Sequence, residues 1–157
     1  NKLALCSAIA ATSSKTIIES RGHKIEGIES FPIIVSDDIE SISKSNEIVK
    51  VLESLKLTQD TDRLESRKSR SGQSRLRGRS KKVGKSVLFV TKDDKEMSKA
   101  IGALPGVEVK SVKDLSVLDL APGSHPIRLT VYSKSAIEEI AKIKSTHLEV
   151  MVKSQWM

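Results

Sequence analysis

The sequence predicts an α/β protein, a three-layer α/β/α sandwich built on a four-stranded parallel sheet, and three observations carry that prediction. Four short apolar runs rich in β-branched residues stand out: Ile33 to Val35, Val87 to Val90, Val107 to Val109 and Leu129 to Tyr132. They are near-continuous rather than alternating, which is the pattern of strands buried on both faces. Segments with helical periodicity and N-terminal capping residues lie between them, and right-handed crossovers turn such an alternation into a parallel sheet covered by helices.

The elements follow in order. An Ala-rich opening places Leu5, Ile9, Thr12 and Thr16 or Ile17 at helical spacing. The same residues imitate a secretory signal peptide, and LALC imitates a lipoprotein cleavage site, but Cys6 and Ser7 break the apolar stretch and Leu5 is bulky where processing needs a small residue. After the first strand, Ser45 is positioned to cap a helix with Glu47 in its first turn and Ile48, Val49, Leu52 and Leu55 on one face. After the second, Asp93 and Glu96 have capping-box spacing ahead of Met97, Ala100, Ile101 and Leu104, and Pro105 and Gly106 end that helix. After the fourth, Ser135 and Glu138 repeat the capping-box spacing before Ile140 and Ala141.

A chain of 157 residues fits a single globular domain, 1–157, with a modest core. The one cysteine, Cys6, excludes an internal disulfide, and Cys6, His23, His125 and His147 have no zinc-ligand spacing, so a reducing cytoplasm without a metal or other cofactor is the expectation. No apolar run approaches the length of a membrane span.

Charge is the most uneven property of the sequence. From Arg67 to Lys85 it reads RKSRSGQSRLRGRSKKVGK, with nine Lys or Arg, no acid and no aromatic. The formal charge of the chain is +7, so removing these nine leaves the other 138 residues near −2. Such a segment has too few apolar residues to bury itself and needs a dense array of counterions, which nucleic acid supplies. A solvated disordered segment or a nuclear-import signal is the plainer alternative. The run falls in a long interval between Leu57 and Val87, so a basic loop at about 60–86 is expected, and loops of that length are generally functional or disordered. Nineteen residues tethered at both ends project roughly 30 Å. Arg outnumbers Lys there, which favours bidentate phosphate recognition, and the lack of aromatics argues for structured RNA over a single-strand stacking platform. The candidate RNA-binding residues are Arg67, Lys68, Arg70, Gly72, Arg75, Arg77, Gly78, Arg79, Lys81, Lys82 and Lys85. A proline-rich loop, LAPGSHPIR from Leu120 to Arg128, adds His125 and Arg128 as supporting contacts, with a rigid turn as the alternative.

Enzyme chemistry finds little support. Neither GxGxxG nor GxxxxGK[ST] is present, and the carboxylates of SDD at Ser36 to Asp38 and KDD at Lys92 to Asp94 are explained by helix capping. Cys6 reads as a small core residue and His23 as part of a helix-to-strand turn. A nucleotide-using α/β enzyme and a protein-docking domain stand as the alternative functions.

Several segments, in order, resemble the archaeal and eukaryotic branch of the universal large-subunit ribosomal protein L-four family: SAIAAT at Ser7 to Thr12, RGH at Arg21 to His23, PIIVSDD at Pro32 to Asp38, and SGQSRLRGR at Ser71 to Arg79. VLFV at Val87 to Val90, LPGVEV at Leu104 to Val109 and LDLAPGSHPIRLTVYSKSAI at Leu118 to Ile137 complete the set, which covers roughly residues 3–143. The resemblance implies a non-catalytic constituent of the large ribosomal subunit, cytoplasmic, with ribosomal RNA and neighbouring ribosomal proteins as partners and a parallel sheet of order 1-4-2-3. It also implies that this chain corresponds to the C-terminal globular part, without the family's leading segment and extended tunnel loop. Ser74, Ser124 and Ile127 stand where the family usually has glycine. The tail from residue 145, with Trp156, has no counterpart.

Overall fold

The computed structural model describes residues 2–28, 30–65, 68–82, 84–125 and 127–143; the tail lies outside them, as does Arg67. Helices α1 (Lys2–Ala11) and α2 (Lys15–Ser20) precede strand β1 (Ile33–Val35). A 3-10 turn at Asp37–Ser41 leads to α3 (Ser45–Ser54) and α4 (Thr58–Glu65), followed by a small hairpin of β2 (Lys68–Ser69) and β3 (Lys81–Lys82) with α5 (Gln73–Leu76) at its tip. Then come β4 (Leu88–Thr91), α6 (Lys95–Ile101), β5 (Glu108–Ser111), α7 (Val117–Leu120), β6 (Thr130–Ser133) and α8 (Lys134–Ile140). Among the described residues no helix is long and apolar enough to cross a membrane.

The main sheet is parallel, with order β1-β6-β4-β5, which is the 1-4-2-3 order of its four strands. Ile33 pairs with Val131, and Phe89 lies between Val131 and Val109. The chain steps from β1 across to β4 and β5 and then returns to β6. Right-handed crossovers therefore put α3 and α6 on one face and α7 on the other. The packing agrees, since α3 touches α6 and α1 touches α7.

The apolar runs become strands because every residue of β4 and of β6 is buried. Ile18, Ile48, Leu52, Phe89, Met97, Leu120 and Val131 form the core between sheet and helices. Burial on both faces fails for the edge strand β1, where Ile34 is 55 % exposed. Three strands begin one residue later than the apolar runs, because Val87, Val107 and Leu129 lead into the ladder and are buried before it starts. Cys6 is a free, half-buried thiol, and α1 buries Ala8 with Leu5 and Ile9 packed alongside.

The helix starts depart from the sequence expectation. Lys44, not Ser45, precedes α3, and no side chain caps it. At α6 the N-cap is Asp94; Asp93 Oδ1 accepts weakly from the Lys95 N–H at 3.4 Å, and no box with Glu96 forms. At α8 the cap is Ser133, whose hydroxyl accepts from the Ala136 N–H at 3.2 Å, so Ser135 lies inside the helix. An N-cap serine paired with an acid three residues on occurs instead at α7, where the Asp119 carboxylate accepts from the Ser116 N–H at 3.1 Å and hydroxyl at 2.7 Å.

The carboxyl ends of the parallel strands are filled by the protein's own groups. Glu40 Oε1 accepts from the Ser133 and Ser135 hydroxyls and from the Lys92 N–H, and Asp37 Oδ1 accepts from the Ser135 N–H at 2.8 Å. That bond, with neighbouring Lys134 and Lys92, holds the Asp37 carboxyl below the ordinary carboxylate range. The Asp37 carboxylate of SDD thus ties the end of β1 to the start of α8, while Asp38 accepts from the neighbouring Ser36 hydroxyl at 3.0 Å.

At the amino ends, Gly106 has φ +77° and its Cα approaches the Gly84 backbone so closely that a Cβ would stand 2.7 Å from the Gly84 carbonyl oxygen and inside the Leu64 side chain. Gly106→Ala is expected to lower stability by about 2–4 kcal/mol, combining a left-handed residue with overpacking. Gly123→Ala, at φ +78° with no atom within 4 Å of the new Cβ, should cost only about 1 kcal/mol. Urea unfolding of the two variants checks the difference.

Candidate nucleic-acid interface

The basic segment and the proline-rich loop both precede strands of the parallel sheet, so the fold brings them to the same end. The interval 57–87 is more ordered than a single loop. Its first part is α4, which starts just after buried Leu57 and buries Asp60 and Leu64. The expected lower bound of the loop, residue 60, is therefore core, and the projecting part begins beyond Glu65.

Asp60 is the centre of this base. Its carboxylate is fully buried and accepts from the Ser86 hydroxyl at 2.6 Å, His23 Nδ1 at 3.0 Å, the Lys24 N–H at 3.2 Å and Arg63 Nε at 3.2 Å. The Leu129 N–H donates to His23 Nε2 at 3.4 Å, which leaves Nδ1 as the ring's donor to Asp60. Burial alone would raise the Asp60 carboxyl, but the hydrogen bonds from His23 and Ser86 and the Arg63 charge outweigh it and hold the group below its ordinary value. One carboxylate thus joins the segment after α2, the helix α4 and the approach to β4.

A second cluster lies beside it. Arg128 was expected to reach RNA, but it is fully buried between Ile127 and Leu129. Its guanidinium donates to the carbonyls of Ser86, Val87 at 3.1 Å and Gly106 at 2.6 Å, and Nη1 pairs with Glu108 Oε2. Those carbonyls belong to the approaches to β4 and β5, so Arg128 clamps the amino end of the sheet instead of facing solvent. Burial pulls its pKa down, opposed by Glu108, and it remains cationic. Lys85, also expected at RNA, is exposed but pairs with the other oxygen of Glu108. Burial would raise Glu108, yet its bonds to Lys85 and Arg128 lower it.

Above this base stands the hairpin. Lys68 pairs with Lys82 and Ser69 with Lys81, and the Arg70 N–H continues the ladder to the Ser80 carbonyl at 2.8 Å. Gly72 at φ +65° and Gly78 at φ +76° bracket α5, and the Arg79 N–H closes the turn on the Ser74 carbonyl at 3.0 Å. Arg75, Arg77, Arg79 and Lys81 are exposed and Arg70 is half-buried. Among the described residues none of these five side chains has a hydrogen-bond or ion-pair partner.

A cleft of about 650 Å³ opens between the root of the hairpin and the proline-rich loop, lined by Arg21, Arg63, Lys85 and His125 among others. His125 is exposed at its rim. Arg21 holds the far wall by donating to the carbonyls of Pro122 and His125, each at 2.7 Å. Sequence reasoning did not single out Arg21, Asp60 or His23 as partners. The RGH segment was the available signal, but nothing in it names an acid 37 residues away.

Asp60→Asn is expected to destabilise the fold by roughly 3–5 kcal/mol, the range for breaking a buried charge pair. Asp60 and Glu108 both have folded pKa values below their unfolded ones. Their contribution is therefore complete above about pH 4 and is lost as pH falls through the lower folded values. Unfolding free energy measured from pH 6 to pH 2 should drop in that window, and Asp60→Asn should flatten the drop.

The chain is 46 % identical over 143 residues to large ribosomal subunit protein uL4 of Sulfurisphaera tokodaii, covering 90 % of this chain and 53 % of that protein. It is 46 % identical over 141 residues to the uL4 of Haloquadratum walsbyi, covering 89 % and 56 %, and 44 % identical over 140 residues to that of Methanococcus aeolicus, covering 88 % and 56 %. The chain spans about half the length of these relatives. A model of the ribosomal protein L4/L1 family matches residues 1–143, a span that takes in the parallel sheet, the basic hairpin and the proline-rich loop, and the chain belongs to that family.

Proposed function

We propose that this chain is a non-enzymatic, structural constituent of the large ribosomal subunit, working in the cytoplasm, that binds ribosomal RNA through its basic hairpin. The names of its relatives support the ribosomal assignment. One observation carries the RNA assignment: five cationic side chains on the hairpin have no partner among the described residues, while the cations at its root are engaged by Asp60 and Glu108. Unpaired, closely spaced guanidinium groups repel one another and are stabilised by a polyanion.

In this reading Arg70, Arg75, Arg77, Arg79 and Lys81 contact phosphates, and Arg67, Lys68 and Lys82 add to the same run of charge. Gly72 and Gly78 let the backbone approach the RNA at either side of the turn. His125 adds a contact from the cleft rim, and Lys85 exchanges Glu108 for phosphate. Arg128 acts only by holding the base. Neighbouring ribosomal proteins pack on the remaining surface.

If about six phosphates are neutralised, log K for structured ribosomal RNA should fall with a slope of about −5 against log salt, borrowing the duplex coefficient. Replacing Arg75, Arg77 and Arg79 with Ala should weaken binding and flatten the slope to about −3, with the melting temperature unchanged because all three side chains are exposed. Filter binding from 50 to 300 mM salt measures both quantities. Unchanged affinity would overturn the assignment.

A further inference from the structure

Leu76 is 81 % exposed, the most exposed large apolar residue among those described. It sits at the last position of α5, between Arg75 and Arg77, at the summit of the basic hairpin. The turn that presents it is ordered: the Arg75 and Leu76 N–H groups donate to the Gly72 carbonyl, the Arg77 N–H to Gln73, and the Gly78 N–H to Arg75. An apolar side chain held out to water at the tip of a projecting element gains nothing for the fold. Its environment is cationic, since Arg75, Arg77, Arg79 and Lys81 surround it in sequence and no acid lies between positions 67 and 85. That charge selects a polyanion and disfavours an apolar protein groove rimmed by the usual mixed charges.

Resting on the RNA-binding reading above, we propose that Leu76 is the specificity-determining contact of the hairpin, an apolar wedge that packs on an unstacked base or exposed ribose of structured RNA while the flanking arginines hold phosphates. The division of labour is physical. Phosphate contacts position a protein on nucleic acid but carry no information about its shape, whereas an apolar contact requires a place where a base face or sugar is open. Apolar side chains inserted at base steps provide such contacts in nucleic-acid complexes. The preformed turn lowers the ordering cost of placing Leu76, because the backbone around it is already fixed by hydrogen bonds.

The test compares the full chain with Leu76→Ala and Leu76→Met on two probes: deproteinised archaeal large-subunit ribosomal RNA and a fully paired 20-base-pair RNA duplex. Leu76→Ala should lose about tenfold in affinity for ribosomal RNA, the scale set by removing most of a buried leucine side chain. The salt slope should stay at the wild-type value, because the number of phosphates neutralised is unchanged. Affinity for the paired duplex should hold within twofold, and Leu76→Met should restore ribosomal RNA binding. No loss on ribosomal RNA, an equal loss on both probes, or a loss accompanied by a flatter slope would overturn the assignment. Failure of the wild-type chain to bind ribosomal RNA at all would instead overturn the reading on which it rests. Folding does not confound the outcome, since Leu76 buries little and the variants should melt with the parent.

Discussion

The buried carboxylate of Asp60 is the constraint on which the amino end of the sheet and the root of the basic hairpin depend. Taking a carboxylate out of water costs several kcal/mol, and the cost is offset only if its lone pairs are filled with good geometry. Here four donors do so, from a helix, from the backbone after α2 and from the start of a central strand. Because those donors are far apart in sequence, the carboxylate fixes their relative positions. The two ends of the basic segment are among the groups so fixed: Arg63 lies just before it and Ser86 just after. A nineteen-residue cationic excursion is thereby given a rigid root, closed further by Leu64 packed over Gly84 and Gly106.

The root also sorts the positive charges. Arg21, Arg63, Arg128 and Lys85 crowd one end of the sheet, and burial, with the neighbouring charges of Arg128 and Arg63, depresses the pKa of Arg21. Asp60 and Glu108 stabilise that crowd from within, while carbonyl oxygens of Ser86, Val87, Gly106, Pro122 and His125 accept further guanidinium protons of Arg21 and Arg128. The hairpin above has no such compensation among the described residues. A chain with a near-neutral body therefore carries two kinds of cation that composition cannot separate, those that hold the fold and those without a partner among the described residues. Parallel α/β sheets usually place ligands at the carboxyl ends of their strands. In this protein those ends are closed by Glu40 and Asp37, and the free charge stands at the opposite end.

The fold was readable because burial of whole strands leaves unbroken apolar runs, and β4 and β6 are central strands buried along their length. Strand order was carried by the resemblance to a family, since periodicity says nothing of which strand lies beside which. The helix starts were less legible. Three serines and two aspartates near the carboxyl edge all offer capping oxygens, and which one caps depends on how soon the chain turns out of its strand. For α8 it turns at once, so Ser133 caps and Ser135 instead meets Asp37 and Glu40. Arg128 follows its sequence context and not its charge, being buried. Its flanks, Ile127 and Leu129, lead into a strand buried on both faces, where a side chain is enclosed whichever way it points. The backbone adopts φ +41° at Ile127, where relatives are expected to have glycine, and the side chain there is fully enclosed. Strain at that residue is balanced against burial, a trade that no local pattern announces.

The glycines show how root and tip are built for different ends. At Gly84 and Gly106 space is a constraint, for an added Cβ would meet Leu64 or the opposing backbone, and at Gly106 the left-handed dihedral adds to it. At Gly72 and Gly78 there is no atom within 4 Å, so what matters there is only the left-handed dihedral that starts and ends α5. A tightly packed root with an open, dihedrally fixed tip is the arrangement needed when a charged element must keep its shape without a core of its own. Mutual repulsion of the tip cations would splay a flexible loop, and ordering it upon binding would then oppose association. Holding the shape in advance, with hydrogen bonds inside the turn and a neutralised base beneath it, removes most of that opposition. The repulsion is left in place as a driving force that a polyanion relieves.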